Sequence, residues 1–239
     1  MKCCKKENGL SVFKIIFLHL LPGIPVLPIA FIFSSPFFGI KFPMFISLLI
    51  AFTVCLVPIQ WIILIIFARK DGETVKDIIG FKQKITKKII VFWSLPCIIF
   101  AAIIFMVGTE IEGSFWTIFN WIPDWFRVNR YSLDVGKYLI PVVVLNFIIR
   151  GILLPFTEEI YFRGFLLPRM DKLGKVAPII SSALFSIYHF FTPWENISRT
   201  LAVLPFVYGV WYKKNLKIGI ISHCAVNLLS CIGLVISIM

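Results

Sequence analysis

"VVVLNFIIRGILLPFTEEIYFRG", residues 142–164, joins an apolar run to a cluster of charge. From Val142 to Phe156 only Asn146 and Arg150 have polar side chains; then Thr157, Glu158 and Glu159 follow at once, and Arg163 answers Glu159 four positions on. A membrane helix needs about 20 mostly apolar residues, and this run with its flanks supplies them. Adjacent acids at the edge of such a helix are costly unless something pairs or employs them.

The rest of the chain has the same character. It has 239 residues, 59% of them hydrophobic, and a mean hydropathy of +0.93. Soluble domains hold about 45–50% apolar residues. The expected fold is therefore all-α, a polytopic transmembrane helical bundle with spans near 11–33, 43–67, 89–108, 138–157, 176–192, 197–212 and 216–237. The fifth to seventh are short and closely spaced, which suits a re-entrant or broken segment.

A formal charge of +12 raises the possibility of nucleic acid binding, but the placement of the charge excludes it. Basic residues fill alternate connections: Lys2, Lys5 and Lys6, then 69–88, then 163–175, then 213–217. The other connections hold Lys41, Arg127, Arg130, Lys137 and Arg199. This asymmetry follows the positive-inside rule, with the N-terminus cytoplasmic and the C-terminus outside. Membrane lipid, with its anionic headgroups, is the expected partner of the charge.

The first span follows three lysines as a secretory signal would, yet Pro22, Pro25 and Pro28 interrupt it and no clear cleavage site follows. It reads as a retained, kinked span. The six cysteines, Cys3, Cys4, Cys55, Cys97, Cys224 and Cys231, form no CxxC pair and predict neither a disulfide nor a zinc framework. Cys3 and Cys4 lie where acylation could reach them.

Two regions follow from this organisation: residues 1–137, with N-terminal spans, a basic interfacial segment at 69–88 and an aromatic outer loop at 109–137, and a core at 138–239. The basic segment carries Ile78, Ile79, Phe81 and Ile85 among its lysines, and fits either an interfacial helix or a solvated loop. The outer loop, rich in Trp and Phe, suits headgroup anchoring or the covering of an internal site.

Chemistry concentrates in the core. Of three histidines, His189 in "FSIYHF" and His223 in "SHCAVN" fall in predicted spans, and Asn227 lies one helical turn beyond His223 on the same face. Each residue alone has an ordinary structural role as helix glue or a helix-end ion pair. Together, two carboxylates, two imidazoles and a carboxamide are the groups needed to activate a water and hold an oxyanion.

In order, "EEIYFR" (158–163), "FSIYH" (185–189) and "HCAVN" (223–227) resemble the three-motif signature of the CPBP family. These are intramembrane endopeptidases related to type II CAAX prenyl proteases, with bacteriocin-immunity proteins among them. The resemblance covers about 140–235. It implies that Glu158 and His189 hold and deprotonate water, that His223 and Asn227 stabilise the oxyanion, and that Glu159 and Arg163 brace the helix end and tune Glu158. A carboxylate desolvated among apolar groups makes a better general base, which agrees with that assignment.

Glu158, His189 and His223 are also a possible three-ligand set for a divalent metal such as Zn2+, with water in the fourth position and Glu159 as base. No HExxH is present, and the family has been interpreted both as metallopeptidases and as metal-free glutamate peptidases, so both readings stand. No serine-nucleophile elbow and no paired Gly-Asp motif occurs. Arg150 has no assigned role. The expected substrate is a membrane-associated peptide or protein, a prenylated tail or a signalling or bacteriocin-like peptide according to host. An Ile-, Phe- and Lys-rich composition points to a bacterial plasma membrane. The rival is a non-catalytic membrane immunity or peptide-binding protein; a transporter is less favoured because the halves do not repeat.

Overall fold

The structure, a computed structural model, describes residues 10–39, 42–122 and 139–237. They form helices and short connections: α1 (Val12–Leu20), α2 (Val26–Ser34), α3 (Met44–Ala51), α4 (Val57–Lys70), α5 (Val75–Ile78), α6 (Lys87–Trp116), α7 (Leu139–Asn146), α8 (Leu154–Glu158), α9 (Ala177–Ile187), α10 (Asn196–Lys213) and α11 (Leu216–Ser237). Wider π-helical turns join α3 to α4 (Phe52–Leu56) and α7 to α8 (Phe147–Leu153), and another continues α8 (Glu159–Leu166).

Joined in this way, the helices make the expected polytopic bundle. Among the described residues, five stretches are long and apolar enough to cross a membrane: Val12–Ser34, Met44–Lys70, Lys87–Gly108, Leu139–Ile187 and Leu216–Ser237. Leu139–Ile187 takes in two of the expected spans, and α10 is not among the five. The chain is an integral membrane protein. Its wide apolar surface, for example Phe92, Met106 and Ile140, all more than 70% exposed, is the face a bilayer would cover.

One expected span needs correction. The fifth, predicted over 176–192, is helical only from Ala177 to Ile187, about 16 Å at 1.5 Å per residue. The chain then turns through Tyr188–Thr192, so His189 stands in a break between α9 and α10, not inside a helix.

At the basic end of the bundle, 69–88 is neither a continuous interfacial helix nor a free loop. After the short α5 it runs extended and is tied to the core. Gly80 N donates to Gly164 O at 2.7 Å, Gln83 N to Lys214 O at 2.9 Å, and Phe81 O accepts from Leu216 N at 3.0 Å. Ile78 is buried while the lysines point outward. Arg169, counted in the sequence with the exposed basic residues, is buried; it donates to Ile78 O at 3.1 Å and to Phe165 O at 2.8 Å, closing carbonyls at a helix end.

The two regions share one core. Tyr161 donates its hydroxyl to Leu18 O at 2.7 Å, and the ring of His19 lies 5.5 Å from that of Phe162. Cys55, Cys97, Cys224 and Cys231 are free, as expected; Cys3 and Cys4 lie outside the described residues. Of the outer loop, Phe119 meets Trp194 edge-on at 5.8 Å and Trp121 is exposed, while 123–138 lies outside the described residues.

Candidate active site

Glu158 and Glu159 close α8 and open the π-helical turn that follows, and both are buried, at 1% and 0% exposure. Two charges at that depth need partners, since leaving either unpaired in an apolar interior costs several kcal/mol. Glu159 Oε1 accepts from His223 Nδ1 at 3.0 Å and stands 3.3 Å from Arg163 Nη1. Glu158 Oε2 stands 3.7 Å from His223 Nε2, and Glu158 Oε1 accepts from the hydroxyl of Tyr188. A single row results: Arg163, Glu159, His223, Glu158, Tyr188.

This row fixes tautomers as well as positions. An ionised carboxylate only accepts hydrogen bonds, so Glu159 keeps a hydrogen on His223 Nδ1 and turns Nε2 towards Glu158. His189 is pinned in the same manner, because its Nδ1 donates to Phe185 O at 2.8 Å, which leaves Nε2 as an acceptor. The third histidine, His19, fully buried, donates Nδ1–H to Ile15 O at 2.7 Å and lies 3.5 Å from Ser181 Oγ; it belongs to the packing of α1 on α9.

Aromatic rings wall the row. The Arg163 guanidinium, completely buried, lies 4.0 Å from the centroid of Phe185, 5.6 Å from Phe206 and 5.8 Å from Phe162, which suits a desolvated cation. Phe185 also touches both histidines, at 5.0 Å from His189 and 5.6 Å from His223. The "F" of "FSIYH" is thus the common wall of the two imidazoles and the guanidinium. Gly219 permits α11 to come this near, because a Cβ there would overlap Glu159 Oε2.

Asn227 occupies a different place from the carboxylates. Its Nδ2 donates to Arg150 O at 2.9 Å. In the π-helical turn Phe147–Leu153, the N–H of Leu154 bonds back five residues to Ile149 O. The next donor in that register would belong to residue 155, which is proline and has none. Asn227 therefore supplies the donor that Pro155 cannot, and keeps one amide hydrogen for other use. Arg150, unassigned in the sequence, lies 3.4 Å from Asn146 Oδ1 and over the Phe45 ring at 5.4 Å.

The sequence-predicted residues thus fall into three placements. Glu158, Glu159, Arg163 and His223 are joined directly. His189 is one ring away, 4.2 Å from the Tyr188 ring. Asn227 sits one turn along α11, bonded to the backbone of α7–α8. Sequence reasoning missed Tyr188 and the buried pair Arg199–Glu195, an ion pair at the start of α10. Arg199 had been counted with outer-loop charge; it is 7% exposed, and also donates to Thr192 Oγ1 at 2.7 Å. An Arg four residues after a Glu, next to a predicted span, was the available signal.

The same geometry bears on a metal. Among the described residues, no three His, Cys, Asp or Glu side chains form a metal-binding group. Glu158 and His223 face each other, and the bond from His189 Nδ1 to Phe185 O leaves its Nε2 free, but the three side chains are not gathered into one group. As placed, the donors do not fit the three-ligand centre, and the chemistry below is derived from the side chains alone.

Comparison with known proteins picks out the segment that holds the row. Residues 140–229 match the family model described as type II CAAX prenyl endopeptidase Rce1-like. That part of the chain is similar to the CAAX-protease family. All the CAAX-protease motif residues named above lie within the match, whereas α1 to α6 lie outside it. No curated protein and no solved structure matches the chain.

Proposed function

We propose that this protein is an intramembrane endopeptidase that hydrolyses a peptide bond in a membrane-associated peptide or protein. The observation that carries the reading is the pairing of Glu158 Oε2 with His223 Nε2 at 3.7 Å inside an aromatic wall. That separation is too long for a direct hydrogen bond and lets one oxygen touch both groups.

Glu158 takes a proton from a water, and His189 Nε2 accepts its other hydrogen and orients it. The hydroxide attacks the carbonyl carbon. The oxyanion meets the second amide hydrogen of Asn227, while His223, its Nδ1–H committed to Glu159, holds its ring beside Glu158; the proton on Glu158 passes to the leaving nitrogen as the C–N bond breaks. One carboxylate and one amine product result. A positioned general base contributes about 10²–10⁴ in rate and one oxyanion donor about 10²–10³. The buried site, among helices, is where water and a peptide backbone can be held away from lipid.

Position supports a cytoplasmic-side site. Glu158 precedes Gly164, which is tied to the basic strap, by six residues, or about 9 Å of helix. With the positive-inside rule, this supports a reading in which the N-terminus and the site lie towards the cytoplasmic face of a bacterial plasma membrane.

The test compares host membranes carrying wild-type protein with membranes carrying Glu158→Gln at matched abundance, using mass spectrometry to find released peptides and new termini. Products that vanish with Glu158→Gln identify the activity and its substrate together. Matching profiles, with a host phenotype retained, would mean that the chain acts as a non-catalytic immunity or peptide-binding protein.

A further inference from the structure

We infer that Tyr188 is a positioning residue for Glu158, and that the N-terminal part of the chain, outside the family match, holds it in place. The inference rests on the protease reading above. Tyr188 is fully buried, and its hydroxyl donates to Glu158 Oε1. A carboxylate turns broadly about its last torsion. Committing Oε1 to Tyr188 leaves Oε2 as the oxygen that addresses His223 Nε2 at 3.7 Å.

The ring is wedged on several sides, 4.9 Å from Phe162, 5.4 Å from Phe185 and 4.2 Å from His189. Gly23, in the break between α1 and α2, closes the remaining side. A Cβ at Gly23 would overlap the Tyr188 carbonyl oxygen and stand 3.0 Å from Tyr188 Cδ2. The Pro22-Gly23 kink thus does more than bend the first span, since it lets the α1–α2 junction press on the backbone of Tyr188. Beyond Tyr188 the turn is fixed by Arg199, which donates to Ser186 O at 3.4 Å and to Thr192 Oγ1 at 2.7 Å, bracketing Tyr188 and His189.

The experiment uses full-length protein in lipid nanodiscs with Tyr188→Phe and Gly23→Ala, singly and together. Infrared difference spectra against Glu158→Gln locate the Glu158 carboxylate band. Turnover is followed on the peptide found in the membrane comparison. Loss of a hydrogen bond to a charged group is expected to lower kcat about 10- to 10²-fold in Tyr188→Phe, with KM unchanged and the carboxylate band moved. Gly23→Ala is expected to lower kcat in the same way, and to add nothing in the Tyr188→Phe background. A carboxylate band at the wild-type position in Tyr188→Phe, or a wild-type kcat, overturns the inference. If Gly23→Ala does not fold, Tyr188→Phe alone decides the role of the hydroxyl, and Pro22→Ala, which relaxes the kink without placing a Cβ against Tyr188, decides the backing contact: a moved carboxylate band is expected, and a wild-type band and kcat would remove the N-terminal part from the inference. Failure of the protease reading looks different, because wild type and Glu158→Gln then release the same peptides, and the positioning role goes with it.

Discussion

Gly219→Ala puts the approach of α11 to the carboxylates under direct test. On helix propensity alone alanine should stabilise, by roughly 1 kcal/mol. The surroundings oppose it. The new Cβ would overlap Glu159 Oε2, stand 2.9 Å from Val210 Cγ2 and 3.2 Å from Glu159 Cδ. Glu159 cannot yield freely, being held by His223 Nδ1 at 3.0 Å and facing Arg163 Nη1 at 3.3 Å, and Val210 is fully buried. Backing α11 away costs about 1–3 kcal/mol of packing. Rotating Glu159 instead gives up a charge-assisted hydrogen bond of about 1.5–3 kcal/mol. The net expectation is a loss of about 0–2 kcal/mol in stability, by difference from the propensity gain, where Gly233→Ala should lose none. Turnover should fall on the order of 10²-fold, as a shift of about 1 Å does when it displaces reacting groups. Thermal unfolding in detergent and peptide release measure the two effects. Gly233→Ala, on the same helix with nothing within 4 Å of its Cβ, is the control and should keep wild-type activity and equal or higher Tm. If Gly219→Ala behaves like Gly233→Ala, the proposed contact between α11 and Glu159 is wrong.

Three further expectations follow from the same geometry. Glu159→Gln leaves the buried Arg163 without its ion-pair partner and should lower stability by about 3–5 kcal/mol, whereas Glu158→Gln, whose amide oxygen still accepts from Tyr188, should remain folded; equal melting temperatures for the two would contradict the pairing. Asn227→Ala removes its hydrogen bond to Arg150 O at a cost of about 0.5–1.5 kcal/mol and removes an oxyanion donor, so activity should drop about 10²–10³-fold; full activity would remove the oxyanion role. Dialysis against a chelator should leave peptide release unchanged, and loss restored by zinc would instead bring His189 into a ligand set with Glu158 and His223.

Much of this was legible in the sequence because membrane helices announce themselves by length and polar residues inside them stand out. Glu159 and Arg163, four apart in the sequence, stand as an ion pair, and the doublet lies against His223. Tyr188 was not legible. In "FSIYHF" it is one aromatic among several, and its role depends on a contact with a residue 30 positions earlier. The π-helical turns were hidden too, since a segment apolar on most sides carries no period from which a wider turn could be read. That concealment also hid the structural duty of Asn227, which exists only because Pro155 follows a π turn. Arg199 was misplaced for a simpler reason, that a charge beside a short span counts as a loop residue until the fold buries it.

The doublet that opens the site has a geometric reason for being a doublet. Consecutive residues on a helix point about 100° apart and do not face each other. Two adjacent carboxylates therefore diverge from one stretch of backbone, and a single imidazole between them can meet one with each nitrogen. That is the arrangement here: Glu159 at Nδ1 and Glu158 at Nε2 of His223. Their environments then separate their roles. Glu159, fully buried and shared with Arg163, is spent on orientation, while Glu158, answered by a neutral hydroxyl, keeps one oxygen for a proton. A spacing of two residues would splay the carboxylates about 200° and lose the imidazole to one of them. The sequence order Glu-Glu, with Arg163 a turn beyond the second acid, ties Glu159 into the ion pair and leaves Glu158 for the base role proposed above.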